Sequence, residues 1–269
     1  MSKVLLFVLF PAFCAALSGF GASSSTFSPE AKLYLQKCDN NLDAAQAMHF
    51  KEQVEKLPPA TQYALQKKDA SVHDLLVSLT WDSVAMFLPP KPPPAPPKAL
   101  RSKLKSIASA CSGSLLDIGC GDGSLIPHLR KMKDFDSSGY HGLDSSPLMI
   151  KLASASYPKL SFSSETFDSK FDPPTKFTTV LFSASLQFFK EPTETLKFAR
   201  TLLTEDLGRI VVTHVNGASF VRNERKLNPN LVLEELPSET ELEKVAGELG
   251  MDLHFGEGSD DFYLATLSL

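Results

Sequence analysis

The sequence has few cysteines, and this shortage excludes two kinds of structural support. Only 4 of its 269 residues are cysteine, and Cys14 lies within an apolar N-terminal run. The remaining Cys38, Cys111 and Cys120 are odd in number, which argues against a disulfide framework. No cysteine or histidine pair has the spacing of a zinc site, so we predict no metal and expect these thiols to be buried or inert.

The chain also lacks a surplus of positive charge and a hydrophobic run long enough to span a membrane comfortably. Its formal net charge is -4 at pH 7, whereas a nucleic-acid-binding domain normally has a basic face. We therefore exclude nucleic acid as a partner. The apolar run Val4–Leu17 is shorter than the roughly 20 residues of a transmembrane helix, so we predict no membrane span in the mature chain. The sequence makes no prediction of oligomeric state.

The N-terminal segment has the features of a secretory signal. Lys3 supplies a positive start before Val4–Leu17, small residues follow, and no acid occurs before Glu30. These features predict a signal or targeting segment at residues 1–27. With Phe20 after the apolar run, the segment resembles the bipartite leaders of plastid proteins in algae with complex plastids. The resemblance implies a plastid location, and a membrane-anchored or cytoplasmic protein is the alternative.

A proline-rich run divides the chain. Seven of the nine residues from Pro89 to Pro97 are proline, which excludes a helix or a central strand and favours extended polyproline structure. We predict a linker at 89–97 between a helical appendage at 28–88 and a main domain at 98–269, with an SH3-type ligand as the alternative. Apolar residues at helical spacing in the appendage either pack on the main domain or form a lid over a substrate pocket. The predicted appendage helices are Pro29–Lys37, with Ser28 as its N-cap, Leu42–Lys56, Ala60–Lys67 and Ser71–Phe87.

Strand and helix patterns alternate through the main domain, which predicts a parallel sheet with helices on both faces. The predicted helices are Lys98–Ala110, Ser124–Met132, Pro147–Ser156, Pro192–Leu203 and Ser238–Leu249. The predicted strands are Ser114–Ile118, Gly139–Leu143, Leu160–Ser164, Phe177–Ser183, Arg209–Val215, Met251–Gly256 and Phe262–Leu267. The last two are close enough to form a hairpin. The predicted fold class is α/β, with a doubly wound, mostly parallel seven-stranded sheet and a C-terminal antiparallel hairpin.

A glycine-rich turn follows the first predicted strand. Residues 115–123 read LLDIGCGDG, and glycine is needed where a backbone turns tightly and approaches a ligand. The spacing lacks the third glycine of the dinucleotide-binding pattern. Asp117 and Asp122 disfavour a pyrophosphate in this turn and favour a cation. Asp144 ends the next strand, where its carboxylate can accept hydrogen bonds from both hydroxyls of a ribose.

Two segments, LLDIGCGDG and GLDSSPLMI at residues 142–150, resemble the motifs of class I S-adenosylmethionine-dependent methyltransferases. The resemblance covers about Ser114 to Leu269 and implies S-adenosylmethionine as cofactor. The residues that it implies for the cofactor site fall into groups. Gly119, Cys120 and Gly121 line the methionine portion, with Asp117 and Gly123 at the same turn; Asp144 binds the ribose; Ser145 and Met149 lie beside the adenosine; Glu165 and Thr166 stand near the adenine contact; and Ser183 opens a loop that faces cofactor and substrate.

No residue stands out as a general base, and a thiolate or carboxylate acceptor could attack unaided. His214, ending the fifth strand, and Gln187, after the fourth, are weak catalytic candidates. A histidine satisfied by backbone groups and a glutamine that caps a loop are the respective alternatives. We interpret Arg222 and Arg225 as solvated loop charges, with binding of a carboxylate-bearing substrate as the alternative.

These features together predict an enzyme that transfers a methyl group from S-adenosylmethionine to a small-molecule acceptor by direct displacement. The alternative is a non-catalytic scaffold or regulatory protein that binds S-adenosylmethionine.

Overall fold

The computed structural model describes residues 27–88, 97–132 and 134–269, without the side chains of residues 257–259. The predicted targeting segment and proline linker therefore lie outside the described residues, apart from Phe27 and Pro97. Within the described ranges, no helix has both the length and the apolar composition needed to cross a bilayer.

Helices make up the described part before the proline run, and strands alternate with helices after it. The first part contains α1 (Pro29–Lys37), α2 (Leu42–Glu55), α3 (Pro59–Lys67), a 3-10 turn (Ala70–Val72) and α4 (His73–Ala85). The second part contains α5 (Lys98–Ala110), β1 (Leu115–Ile118), α6 (Ile126–Leu129), β2 (Tyr140–Asp144), α7 (Pro147–Ser156), β3 (Ser161–Ser164), β4 (Thr179–Ser183), a 3-10 turn (Leu186–Phe188), α8 (Pro192–Thr201), β5 (Arg209–His214), α9 (Gly217–Leu227), α10 (Glu239–Leu249), β6 (Asp252–Ser259) and β7 (Phe262–Ser268).

The strands form one seven-stranded sheet in the order β3-β2-β1-β4-β5-β7-β6. Strands β1 to β5 pair in parallel, whereas β7 is antiparallel to both β5 and β6. The predicted fold class is therefore confirmed, including the C-terminal hairpin. Because the order reverses between β1 and β4, the carboxyl ends of these strands flank the crevice where ligands bind in such sheets.

Both faces of the central strands are buried, as expected for a parallel sheet between two helical layers. Leu116, Val180 and Val212 belong to the apolar cluster on one face. Their chain neighbours Leu115 and Leu181 belong to the cluster on the other face. Near-continuous apolar runs in the sequence are the consequence of this two-sided burial.

Local signals fix the start of α7, the helix that follows β2. Ser146 caps it, since its Oγ accepts a hydrogen bond from the Met149 N–H at 3.1 Å. Pro147 takes the first helical position, where its missing N–H and fixed φ cost nothing. The helix therefore begins directly after the Asp144-Ser145 turn and holds that turn at the carboxyl edge of the sheet.

Two predictions for the main domain need correction. The helix predicted at Ser124–Met132 is regular only over Ile126–Leu129. The segment around Arg222 and Arg225 is helix α9 and not a loop. Arg222 forms an ion pair with Asp260 at 2.9 Å, and Arg225 lies 3.6 Å from Glu234. These partners hold the two guanidinium groups on the surface of α9.

The appendage packs against the main domain through α4. Val84 and Ala85 of α4 are buried in one apolar cluster with Met149 of α7. The His73 Nε2–H, at the start of α4, donates to the Leu231 carbonyl at 3.1 Å. Helix α4 thus lies over the carboxyl edge of the sheet, beside the turn that carries Asp144.

Candidate functional site

The glycine turn after β1 has the backbone geometry that its sequence predicts. Gly119 and Gly121 have φ of 73° and 56°, values that disfavour residues with a Cβ. A Cβ on Gly119 would lie 2.6 Å from the Ser185 Cβ, whereas one on Gly121 would meet no atom within 4 Å. Gly119 therefore permits close packing, and Gly121 leaves open space above its Cα.

Asp144, at the end of β2, is held by backbone donors on two sides. Its Oδ2 accepts from the Gly121 N–H at 2.9 Å and its Oδ1 from the Ser146 N–H at 2.8 Å. Burial raises the pKa of Asp144 to about 6, and the two hydrogen bonds oppose that rise. The carboxylate is thereby oriented and placed next to the glycine turn.

Asp117 is buried more deeply than the sequence suggests. Asp117 lies in the central strand β1 and is only 2% exposed, and the Tyr140 hydroxyl donates to its Oδ2 at 3.0 Å. Burial raises the pKa of Asp117 to about 7. A group with this pKa carries only part of a negative charge at neutral pH, so the charge expected beside a cationic ligand is reduced. A cation placed nearby would favour the ionised form.

A cavity of about 1780 Å³ opens between the appendage and the carboxyl edge of the sheet. Most residues of the predicted cofactor site line it, as does His214. These residues are Asp117, Gly119, Cys120, Gly121, Asp144, Ser145, Met149, Glu165, Thr166, Ser183 and His214. The volume exceeds the roughly 300–1,000 Å³ of an ordinary ligand pocket, so there is room for a nucleoside and a second molecule.

Two predicted site residues lie outside the cavity lining. A Cβ on Gly123 would come within 2.8 Å of Ile126 Cδ1, so this glycine serves the packing of the turn. Gln187 is buried, its side-chain Nε2 donates to the Ala184 carbonyl at 2.9 Å, and its backbone carbonyl accepts from the Leu233 N–H. These bonds match the loop-capping alternative for Gln187.

The cavity has apolar walls from both parts of the chain. The appendage contributes Val77, Trp81 and Val84, the segment after β4 contributes Phe188 and Phe189, and α9 contributes Phe220. Trp81 and Phe188 meet edge to face, with ring centroids 6.0 Å apart. Packing of the appendage on the main domain is seen in the structure, and α4 also lines the cavity.

The turn after β4 contains a strained residue that sequence reasoning missed. Ala184 has φ of 56°, a left-handed conformation that is uncommon outside glycine. The next residue, Ser185, donates from Oγ to the Ile118 carbonyl at 2.6 Å. This bond ties the β4 turn to the end of β1. The sequence signal was a Ser-Ala-Ser run directly after a buried strand, where small residues permit a tight turn.

His214, at the end of β5, is buried and neutral. Its Nδ1 accepts from the Asn216 N–H at 3.3 Å, which leaves the proton on Nε2. Burial lowers the pKa of His214 to about 4. A ring with these properties is a poor general base at pH 7 and can donate from Nε2, and the backbone bond agrees with the alternative interpretation of this histidine.

The cysteine thiols of the described residues are free and are largely buried. Cys111 and Cys120 are buried, Cys38 is half-buried, and all three are free. Burial raises the pKa of Cys120, so its thiol stays protonated at neutral pH. In the part of the chain that the structure describes, no three histidine, cysteine or acidic side chains are grouped as metal ligands.

Solved structures with similar folds include several methyltransferases. The plantazolicin methyltransferase BpumL, in complex with SAH and a monoazolic desmethylPZN analogue, is 15% identical, with a TM-score of 0.51, over 81% of this chain and 98% of that chain. Magnesium protoporphyrin IX methyltransferase ChlM from Synechocystis PCC 6803, with bound SAH, is 17% identical, with a TM-score of 0.46, over 63% and 82% of the respective chains. Among curated proteins, a sequence comparison found no match.

A protein-family model described as a methyltransferase domain matches residues 116–207. This range contains the glycine turn, Asp144 and the loop after β4. The match and the fold together confirm the prediction of an S-adenosylmethionine-dependent enzyme made from the motifs. Residues 116–207 thus match a methyltransferase domain, and the sheet that contains them has the fold of the class I S-adenosylmethionine-dependent methyltransferases.

Proposed function

We propose that the protein methylates a small molecule held in the cavity between the appendage and the sheet. The observation that carries this proposal is the cavity itself, with a volume of about 1780 Å³ and walls supplied by both parts of the chain. Because α4 covers part of the cavity, the site suits a compact acceptor better than a folded protein surface or a nucleic acid. The net charge of -4 also gives a polyanion no attraction.

The residues around the glycine turn fit S-adenosylmethionine. The open space above Gly121 can take its methionine portion, and Asp144 can accept from the ribose hydroxyls, since each carboxylate oxygen has lone pairs beyond those used by the backbone. Asp117, which is partly ionised at neutral pH, and Asp122 beside it suit the sulfonium and ammonium groups of the cofactor. When bound, the cofactor supplies an electrophilic methyl group.

The protein's own contribution to the transfer is alignment and exclusion of water. Proximity of the acceptor atom to the methyl carbon can supply roughly 7–11 kcal/mol of the barrier. The apolar walls around Trp81 and Phe188 keep water from the acceptor, and the His214 Nε2–H can hold an acceptor oxygen or nitrogen in line. Because the pKa of His214 is about 4, it positions the acceptor and does not remove its proton.

The proposal is tested with the purified chain, S-adenosylmethionine carrying a labelled methyl group, and an extract separated into low-mass and macromolecular fractions. We expect label in a low-mass product, and none with a Gly121→Val variant, whose side chain would occupy the open space above the turn. Label that appears only in protein or nucleic acid would overturn the small-molecule acceptor. Absence of S-adenosylhomocysteine binding in calorimetry would overturn the cofactor assignment itself.

We also propose that residues 1–27 direct the protein into the secretory route and from there to a plastid. The support is the basic start, the apolar run and the serine-rich stretch that follows. A fusion of residues 1–29 to a fluorescent protein should reach that compartment, and a uniform cytosolic signal would contradict the proposal.

A further inference from the structure

One face of the appendage helix α4 forms hydrogen bonds to residues 145–148, which directly follow Asp144. Ser78 and Asp82 lie one helical turn apart and therefore share that face. The Ser78 Oγ donates to the Ser145 carbonyl at 2.8 Å. Asp82 Oδ1 accepts from the Ser146 Oγ at 2.5 Å and from the Leu148 N–H at 3.0 Å. Three hydrogen bonds thus join α4 to residues 145–148.

Asp82 occupies a position that a carboxylate stabilises. It lies at the N-terminus of α7, where unpaired N–H groups and the helix dipole favour a negative group. Ser146 already caps the Met149 N–H, and Asp82 takes the Leu148 N–H, so the first turn of α7 is satisfied by two different side chains. Asp82 is only 8% exposed, and a carboxyl buried to this degree without such donors would be costly.

The same bonds continue to the glycine turn. Ser146, held through its hydroxyl by Asp82, donates its N–H to Asp144 Oδ1, and Asp144 Oδ2 accepts from the Gly121 N–H. The series Asp82–Ser146–Asp144–Gly121 therefore runs from the appendage into the predicted cofactor site without a gap. Any shift of Ser146 would turn the Asp144 carboxylate away from its present orientation.

We propose that Asp82 is a positioning residue for the cofactor: the docked appendage fixes Ser146 and thereby orients Asp144 toward the ribose. The proposal rests on the proposed function, because it takes the cavity beside Asp144 as the S-adenosylmethionine site. It assigns to the appendage a role in cofactor binding in addition to its contribution to the cavity walls. The family match covers residues 116–207 and does not include Asp82.

Calorimetry with S-adenosylhomocysteine on the full chain tests the proposal. Asp82→Ala should raise the Kd about tenfold, the order expected for loss of two hydrogen bonds to a buried acceptor. Asp82→Asn keeps one acceptor oxygen and should raise the Kd less. Asp43→Asn, an exposed acid on α2 of the same appendage, is the control and should leave the Kd unchanged.

A pH series separates positioning from a merely structural role. The titratable groups that interact with the Asp144 carboxylate are Asp82 from α4 and Asp117, Cys120 and Asp122 from the β1 segment; Glu165 contacts Asp144 through its backbone N–H. Asp82→Asn removes one negative charge facing Asp144. It should therefore move the pH midpoint for ligand binding downward, whereas Asp43→Asn should not.

The possible outcomes are distinct. An unchanged Kd in Asp82→Ala and Asp82→Asn, with the wild type binding normally, would overturn the positioning role. Failure of the wild type to bind would overturn the cofactor assignment. If neither Asp82 variant folds, Ser78→Ala removes only the bond to the Ser145 carbonyl, and a Kd unaltered by that change would also count against the role of α4.

Discussion

At the scale of single residues, substitutions at Gly121 allow the effect of backbone strain on stability to be distinguished from the effect of lost space on ligand binding. Gly121 and Gly250 share a left-handed conformation, with φ of 56° and 62°, and a Cβ on either would meet nothing within 4 Å. Gly121→Ala and Gly250→Ala should therefore each lower the free energy of unfolding by a similar amount, about 1–2 kcal/mol. Only Gly121→Ala fills space in the predicted cofactor site, so only this variant should weaken S-adenosylhomocysteine binding. Chemical denaturation and calorimetry on the two variants check both parts, and equal affinities would contradict the assignment of the turn.

Asp117 makes the stability of the ligand-free protein depend on pH. Burial raises its pKa from 3.8 to about 7 in the folded chain, and the pKa returns to its ordinary value on unfolding. Stability from this group is fully present below pH 3.8 and is lost as the pH rises through 7, because the unfolded chain gives up the proton more readily. Asp117→Asn cannot ionise, and its side-chain carbonyl can still accept from the Tyr140 hydroxyl.

The expected result is a difference between the two proteins that grows with pH. The free energy of unfolding of Asp117→Asn minus that of the wild type should increase by roughly 3–4 kcal/mol between pH 4 and pH 8. Titrations common to both proteins, such as that of His214, cancel in this difference. Urea denaturation at several pH values measures it, and a difference that stays constant would show that the pKa of Asp117 is not raised.

The sequence predicted which residues form the glycine turn better than it predicted the side-chain contacts around them. The positions of Gly119, Gly121 and Asp144 follow from short-range rules, since a strand, a tight turn and a helix are encoded locally. The raised pKa of Asp117 comes from its burial, and its hydrogen-bond partner Tyr140 lies 23 residues away in the chain. The Asp82–Ser146 bond joins residues 64 apart. A sequence pattern does not specify such pairs, because they depend on how α4 docks.

At the scale of secondary-structure elements, two helix caps of the same type provide a matched comparison. Ser146 caps α7 and Ser238 caps α10, where Ser238 and Glu241 form a reciprocal capping box. Ser238→Ala should cost about 1 kcal/mol of stability, and Ser146→Ala should cost more, because it also removes a donor from the buried Asp82. Only Ser146 also links Asp82 to Asp144, so Ser146→Ala alone should raise the Kd for S-adenosylhomocysteine. Thermal unfolding and calorimetry test this pair, and a comparable rise in Ser238→Ala would argue against a specific role for the α7 cap.

The bounds of the predicted helices are most accurate where the sequence clearly marks the end of a helix. The bounds of Lys98–Ala110 and Pro147–Ser156 are confirmed, because proline at or beside the helix start marks both. Helix α9 was missed because its only fully buried apolar side chain is Val221, and its charged residues resemble a loop. The short helix α6 was predicted too long, since the apolar residues after Leu129 pack as turns and not as a continued helix.

At the scale of the whole molecule, the appendage and the methyltransferase domain share one cavity, and α4 is bonded to the turn beside Asp144. A ligand that binds only the folded state stabilises the elements that contact it, by about 2.7 kcal/mol at 100 times its Kd. If α4 holds the cofactor site, S-adenosylhomocysteine should protect α4 and the glycine turn together, although they lie in different parts of the chain.

Hydrogen exchange followed by mass spectrometry measures this coupling. We expect S-adenosylhomocysteine to slow exchange in the peptides that cover α4, the turn at 119–123 and the start of α7. Peptides from α10 serve as the internal control, because α10 packs on β6 and α8 and none of its residues lines the cavity. The Asp82→Ala variant should lose the protection of α4 and keep part of that at the glycine turn. Equal protection of α4 in wild type and variant would mean that the cavity walls, and not the Asp82 bonds, transmit the effect of the ligand.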